Sequence, residues 1–487
     1  MLFNSFEFLI FSPLVTLLYY LLPQRHRWWM LLIASCIFYM MFIPQYIVIL
    51  AVTIIIDYIA GIWLEKPGIS PCNRKRILTV SILSTCGVLF IFKYFNFFNA
   101  NVARIAALFH WNYSITALEI ALPIGLSFHT FQSLSYVIEV YRGRQKAEHH
   151  FGIYSLYVMF YPQLVAGPIE RPQNLLHQFY ANHPFNYRLV TDGLKLMAWG
   201  LFKKVVIADR LAIAVSTVYG EPREFTGLPL IVATVFFAFQ IYCDFSGYSD
   251  IAIGAAQVMG FRLMDNFNRP YFSKSVAEFW KRWHISLSTW FRDYLYIPLG
   301  GNRVKTWRWQ FNLFLTFLVS GFWHGAHWTY IIWGALHGCF MLGSIWTQKI
   351  RHIICHFMTL DRHPILHKYG KIAGTFSLVC IAWVFFRANY VQDAWYILSH
   401  LQILDHGFHL VGWSQLLHMG LSPYSLIIAI VAIILMESFH AIQRHRSIRQ
   451  MLSEKPWWFR WSVYYSLVFS IYFFGVFKEQ QFIYFQF

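Results

Sequence analysis

Charge is what this sequence is short of. Only 13% of its 487 residues are Asp, Glu, Lys or Arg, where a soluble domain carries about 25%. So few charges cannot cover a water-facing surface, and 57% hydrophobic residues exclude intrinsic disorder as well. Acidic residues are the scarcer sign, 22 against 39 Lys and Arg, which leaves a net charge of +17. A basic excess suits nucleic acid or a membrane surface. Here the cations are dispersed between apolar runs, as cytoplasmic loops are under the positive-inside rule, and nucleic acid is not expected as a partner. Cysteine is sparse: Cys36, Cys72, Cys86, Cys243, Cys339, Cys355 and Cys380 are odd in number and form no C-x-x-C pair. That pattern indicates neither a disulfide framework nor a zinc site. There is no G-x-S-x-G elbow and no phosphate-binding P-loop, so hydrolases and ATP-driven pumps lose their usual signatures. The N-terminus has neither a basic n-region nor a small-residue cleavage site, and residues 6–22 read as a retained span.

What remains is apolar runs long enough to cross a bilayer. Runs at 6–22, 28–43 and 46–64 are separated by a basic turn (Arg25, Arg27) and then an uncharged one (Pro44, Gln45). The next connection is basic through Lys66, Arg74, Lys75 and Arg76, and runs at 77–98 and 121–141 lead to Arg142, Arg144 and Lys146. This alternation puts the N-terminus outside and the basic turns in the cytoplasm. Residues 151–168 contain Pro162, Gly167 and Pro168 and read as re-entrant. Runs at 190–219, which Lys203 and Lys204 are expected to break, and 228–260 go out and back. Residues 261–310 form a charge-rich cytoplasmic segment, and 311–344 two apolar arms around Gly325–His327. Lys349, Arg351, Arg362, Lys368 and Lys371 mark an inside loop before a span at 372–386. Residues 391–420 carry Asp393 and Asp405 but no Lys or Arg and belong outside. A span at 425–439, a loop with Arg444, Arg446, Arg449, Lys455 and Arg460, and a last span at 461–477 complete the chain. The expected architecture is all-α and polytopic, with roughly 11 transmembrane helices plus re-entrant and interfacial helices around a central tunnel. With no repeat, low-complexity tract or soluble module, residues 1–487 read as a single membrane-embedded domain.

Three clusters could carry chemistry. In residues 275–294, Ser275 and Glu278 form a capping box, and Val276, Phe279, Trp280, Trp283, Leu287, Trp290, Phe291 and Tyr294 fall on one helical face. Lys281, Arg282, Arg292 and Asp293 lie largely opposite, and His284 points to the apolar side. This is either an interfacial anchor or a helix lining the cytoplasmic mouth of a cavity, its cations near an anionic ligand. The second cluster is Gly321-Phe322-Trp323-His324-Gly325-Ala326-His327-Trp328. An imidazole at membrane depth stays neutral and suits a general base. Gly321/Gly325 and Gly334/Gly338 are also G-x-x-x-G spacings, which fit helix packing with a structural histidine equally well. The third is Asp244 and Asp250, two carboxylates in an apolar run, which bind a cation, orient a histidine or join a structural polar network. Glu119, Glu139 and Asp57 are expected to be solvated at span ends. His352/His356 and His363/His367 have metal-ligand spacing but lie in a basic loop and read as solvated, so no metal is expected.

Taken together, these stretches resemble the membrane-bound O-acyltransferase family, in its bacterial alginate O-acetyltransferase branch. The blocks that carry the resemblance are Leu122-Pro123-Ile124-Gly125-Leu126-Ser127-Phe128, Gly167-Pro168-Ile169-Glu170-Arg171-Pro172 and Gly200-Leu201-Phe202-Lys203-Lys204, followed by Asp244-Phe245-Ser246-Gly247-Tyr248-Ser249-Asp250. Two more are Trp283-His284-Ile285-Ser286-Leu287-Ser288-Thr289-Trp290-Phe291-Arg292-Asp293-Tyr294 and Trp323-His324-Gly325, so the family-like core runs over about 120–340. Phe322, Cys243 and His327 depart from the usual Leu, aromatic and small residue. The resemblance implies that His324 is the essential intramembrane histidine and His284 the second, more cytoplasmic one.

It further implies an O-acyltransferase that moves acetyl from cytoplasmic acetyl-CoA across the bacterial inner membrane to an extracytoplasmic polysaccharide. His324 would deprotonate the attacking hydroxyl, and His284, Trp323, Asp244 and Asp250 would position donor or acceptor. Lys281, Arg282, Arg292 and Arg303 would hold the CoA phosphates. No bound cofactor is expected, and an SGNH-type extracytoplasmic acetyltransferase is the expected partner. D-alanyl transfer to teichoic acid keeps the same fold with another donor. An ion or proton-coupled transporter would use Asp244, Asp250 and His324 as a relay, although the chain lacks an internal repeat.

Overall fold

The computed structural model describes residues 1–120, 123–165, 167–359, 362–404, 410–443, 448–477 and 482–483. Leu122, Asp405, Arg444 and Arg446 lie outside them. The architecture is all-α: among the described residues the only β pairing is an isolated bridge between Leu404 and Leu410. Among the described residues, five helices are long and apolar enough to cross a bilayer, Tyr46–Glu65, Pro71–Leu108, Leu228–Val258, Pro364–Arg387 and Pro423–Ile442. Their outward faces carry exposed Val52, Ile55, Val80, Leu83, Ile427 and Ile434, an inversion of the soluble pattern that suits contact with lipid. Several such helices in one chain are the arrangement of a multi-pass membrane protein.

The chain forms two compact units, Met1–Met197 with Tyr248–Met264, and Ala198–Gly247 with Asp265–Phe487. In the first, the Leu126–Tyr141 helix is almost wholly buried against Tyr46–Glu65 and Pro71–Leu89. The close approach needs Gly61, because a Cβ there would stand 2.6 Å from the Tyr136 hydroxyl. Two carboxylates expected in solvent are buried here instead. Asp57 accepts from Ser81 at 2.6 Å and Thr85 at 3.1 Å, and Glu139 pairs with Arg142 at 3.2 Å. Helix-to-helix hydrogen bonds replace water around Asp57, which pure span counting cannot anticipate. Residues 151–168 break as their prolines suggest, into Phe151–Met159 and the single turn Tyr161–Leu164.

The second unit departs from expectation at two places. Lys203 and Lys204 do not break their span: Tyr187–Leu201 runs through a π-helical segment, Phe202–Ala208, into Asp209–Gly220. The wider turn, a form common at functional sites, accommodates two buried lysines in succession. Nor is 275–294 one continuous helix. Ser275 caps Val276–Trp280, accepting from the Glu278 N–H at 3.1 Å, but the helix stops there and restarts as Ile285–Phe291. The hairpin Thr306–His324 and Trp328–Trp346 forms as its two apolar arms suggest. Gly321 faces Gly334 across it: a Cβ on Gly321 would meet Gly334 Cα at 2.9 Å, and one on Gly334 would meet the Phe317 carbonyl oxygen at 2.5 Å. This is the small-residue contact that lets two membrane helices approach closely.

Candidate active site

His324 is the last residue of its helix, where Gly325 turns extended (φ −165°, ψ 151°), and it is 7% exposed. Two rings meet its imidazole edge-on, Trp333 at 5.1 Å and Phe386 at 5.6 Å between centroids. Trp333 lies on the returning arm, within a helix that the Gly321–Gly334 contact holds close to the first. The packing glycines therefore set how closely the arm that carries Trp333 approaches the arm that ends on His324.

His284 sits in the gap between the two short helices with φ +43°, the left-handed region that few side chains other than glycine adopt. The conformation is held by residues 266–268, which run alongside: the Ile285 N–H donates to the Asn266 carbonyl and the Asn268 N–H to the Arg282 carbonyl, both at 2.9 Å. Asn266 Oδ1 accepts from the Ser286 N–H at 3.3 Å, the Ser286 hydroxyl at 2.9 Å and His284 Nδ1 at 3.1 Å. The Ser286 N–H can only donate, so the atom facing it is the amide oxygen, and the same oxygen beside Nδ1 places the His284 proton on Nδ1 and the basic nitrogen at Nε2. Phe245 stands edge-on to the ring at 4.6 Å. His284 lies outside the five spanning helices. Burial, and secondarily the neighbouring His324 imidazole, push its pKa well below the usual histidine range, so the ring is neutral at pH 7. That influence makes the two histidines electrostatic neighbours.

Buried indoles run between them. Trp283, next to His284 in the chain, lies 5.1 Å from Trp383, which stacks 5.9 Å from Trp333, the ring that abuts His324. Beyond Trp333, His337 receives the Trp280 indole N–H on Nδ1 at 3.2 Å. Trp333, Trp383 and Asn266 join this candidate site, and spacing alone did not single them out. All three sit in runs where an aromatic or amide reads as ordinary core or loop, and only the tertiary contacts distinguish them.

The remaining expected site residues separate into groups. Asp244 is an internal ion-pair partner: Lys204 Nζ lies 2.7 Å from Asp244 and 2.7 Å from Asp209, and the Ile483 N–H donates to Asp244 at 2.8 Å. Asp250, on the same helix, falls in the first unit. Trp323 is half-buried. Among the cations, Lys281, Arg292 and Arg303 are exposed, while Arg282 is half-buried against Glu278 at 2.6 Å and Arg292 pairs with Asp293 at 2.8 Å. No group of three or more potential metal ligands occurs among the described residues.

Residues 149–386 match the membrane-bound O-acyltransferase family. The chain is 41% identical over 401 residues to the probable alginate O-acetylase of Pseudomonas aeruginosa, covering 81% of this chain and 74% of that protein. It is 34% identical over 389 residues to the peptidoglycan O-acetyltransferase of Helicobacter pylori, 74% and 71% of the two chains. Identity to the teichoic acid D-alanyltransferase of Streptococcus thermophilus is 29% over 291 residues, 56% and 70%. With His324 and its indole neighbours inside the matched segment, this chain belongs to the membrane-bound O-acyltransferase family.

Proposed function

We propose that this O-acyltransferase takes acetyl from cytoplasmic acetyl-CoA and delivers it to an extracytoplasmic polysaccharide, as a single membrane-embedded domain in the bacterial inner membrane with its N-terminus outside. The supporting observation is the pair of buried imidazoles linked by the indoles of Trp283, Trp383 and Trp333, one of them with its proton placed on Nδ1 by Asn266. His324 is the base that takes the proton of the attacking hydroxyl as the new C–O bond forms; the C–S bond of the thioester breaks and that proton passes to the departing CoA thiolate. His284 positions the reacting groups through Nε2. Lys281, Arg282, Arg292 and Arg303 attract the CoA phosphates, and the thioester supplies the driving force. An SGNH-type transferase outside the membrane completes delivery to the polymer.

Purified protein in nanodiscs, given labelled acetyl-CoA and an extracytoplasmic transferase, tests this reading. Acetyl ester formation that disappears in His324→Ala while the fold persists is the expected result. Retained transfer in that variant would remove His324 from the chemistry. Loss of alanyl rather than acetyl ester from a deletion strain would select the D-alanyl donor instead.

A further inference from the structure

The turn between two of the spanning helices carries positive charge that no acid answers. Tyr46–Glu65 and Pro71–Leu108 are joined by residues 66–70, and the stretch 66–76 holds Lys66, Arg74, Lys75 and Arg76 without an Asp or Glu. An open cavity of about 320 Å³ lies at this end of the pair, lined by Trp63, Lys66, Ile69, Asn73, Arg76 and Ile77. Helix geometry explains the lining. Lys66 follows Trp63 by one turn, its N–H still bonded to the Trp63 carbonyl at 3.3 Å. Asn73, Arg76 and Ile77 share a face of the next helix at i, i+3 and i+4. One cation therefore comes from each wall. The neighbouring charges are engaged elsewhere: Glu65 accepts from the Ala147 N–H at 3.1 Å and pairs with His149 at 2.8 Å, and Arg74 donates to the Tyr141 carbonyl at 2.9 Å. Among the described residues neither Lys66 nor Arg76 has an ion pair.

Cations on two walls and the N-terminal, positive end of Pro71–Leu89 favour an anionic ligand. The surroundings select its source. Away from the turn the surface becomes apolar: Ile59, Ile55 and Val52 continue from Trp63 at helical spacing, Val80 and Leu83 continue from Arg76, and all five are exposed. A molecule with a phosphate head and hydrocarbon tails meets both parts at once, whereas a free anion uses only the first. Trp63, 49% exposed, stands at the boundary between them, the level that indoles favour at a membrane interface. A basic connection between spans lies on the cytoplasmic side under the positive-inside rule, and basic pockets between spans on that side suit lipid headgroups. The volume sits at the low end of the range for small-molecule sites, roughly 300–1,000 Å³, which suits a headgroup better than a nucleotide.

We propose that this cavity binds the headgroup of an anionic phospholipid of the cytoplasmic leaflet, its phosphate held between Lys66 and Arg76 and its acyl chains lying along Ile59 and Val80. The site needs the membrane setting but none of the acyl-transfer chemistry, so either reading can fail and leave the other intact. Full-length protein is reconstituted in phosphatidylcholine nanodiscs containing a minor fraction of phosphatidylglycerol. The lipid that stays bound after transfer into detergent is then counted by native mass spectrometry. Wild type and His324→Ala are expected to retain phosphatidylglycerol alike, and in preference to phosphatidylcholine. Lys66→Gln and Arg76→Gln should each lower that retention about tenfold, the loss of one charge-assisted contact. Lys75→Gln removes the same charge from the same stretch, but Lys75 does not line the cavity, and retention should change by less than about twofold. Ile69→Trp fills the cavity while keeping every charge and should lower retention as well. Equal losses in Lys75→Gln and Arg76→Gln would reduce the effect to the charge of the turn and overturn the proposal, as would wild type showing no preference for phosphatidylglycerol. Displacement of the lipid by millimolar inorganic phosphate would overturn the choice of a lipid over a free anion. Lys66, Lys75 and Arg76 are exposed, so their variants should melt with wild type. If Arg76→Gln fails to fold, Lys66→Gln and Ile69→Trp decide, and full retention in both overturns the site.

Discussion

Asn266 Oδ1 lies 3.1 Å from His284 Nδ1, and that bond decides which nitrogen of the ring is basic. Because the same oxygen also takes both Ser286 donors, it cannot turn away without stranding a backbone N–H. Asn266→Ala removes the acceptor and frees the ring to exchange tautomers. Acetyl transfer should fall about 10–100-fold, the same order as when a metal-bound histidine loses the partner that orients it. CoA release from labelled acetyl-CoA measures it, and a wild-type rate in a folded Asn266→Ala protein would detach the tautomer from the reaction.

The depressed pKa of His284 gives stability a pH dependence of known sign. In the unfolded chain the ring binds a proton near pH 6.5, while in the fold it resists protonation to well below that. Between the two values the unfolded state holds more protons, so stability rises with pH and is lost as pH falls below about 6.5. Thermal unfolding at pH 7.5 and pH 5.5 should therefore show a larger drop for wild type than for His284→Gln, in which that proton cannot bind. Equal drops would mean that the ring is not held neutral by the fold.

Much of this was legible in the residues and some was not. Apolar runs and the hairpin around Gly325 follow from hydropathy and glycine placement, because bilayer thickness fixes span length. The fate of Asp57 and Glu139 did not follow, since burial of a carboxylate depends on donors such as Ser81, Thr85 and Gln173 that arrive from other helices. The same applies to His284. Periodicity placed it on an apolar face of a continuous helix, whereas backbone pairing with residues 266–268 breaks the helix at that residue and turns the ring toward Asn266. Local pattern reads which apolar faces are buried; it does not read which distant donors and acceptors draw polar groups in and orient them.

Lys204 is the hub of a buried triad, so removing it should cost more than removing either acid. In Lys204→Met, Asp209 and Asp244 lose their shared cation, and the expected destabilisation is about 3–5 kcal/mol. Asp244→Asn leaves Lys204 paired to Asp209 and should cost less. Tryptophan-monitored unfolding in detergent compares them, and a Lys204→Met protein as stable as wild type would show that the triad is dispensable to the fold.

The Gly321–Gly334 contact links helix packing to the candidate base. A methyl at either position forces the arms apart, because the opposing atoms are backbone and cannot move as a flexible side chain would. Gly321→Ala and Gly334→Ala should each destabilise by about 1–3 kcal/mol, the usual cost of overpacking. Their effects should be less than additive, since arms already parted by the first methyl have room for the second. Trp333 rides on the arm that moves, and its edge contact at 5.1 Å helps to hold the His324 ring. Acetyl transfer should therefore fall in both variants even at a temperature where they remain folded. A variant with lowered melting temperature but wild-type turnover would separate the packing role of the hairpin from the chemistry of His324.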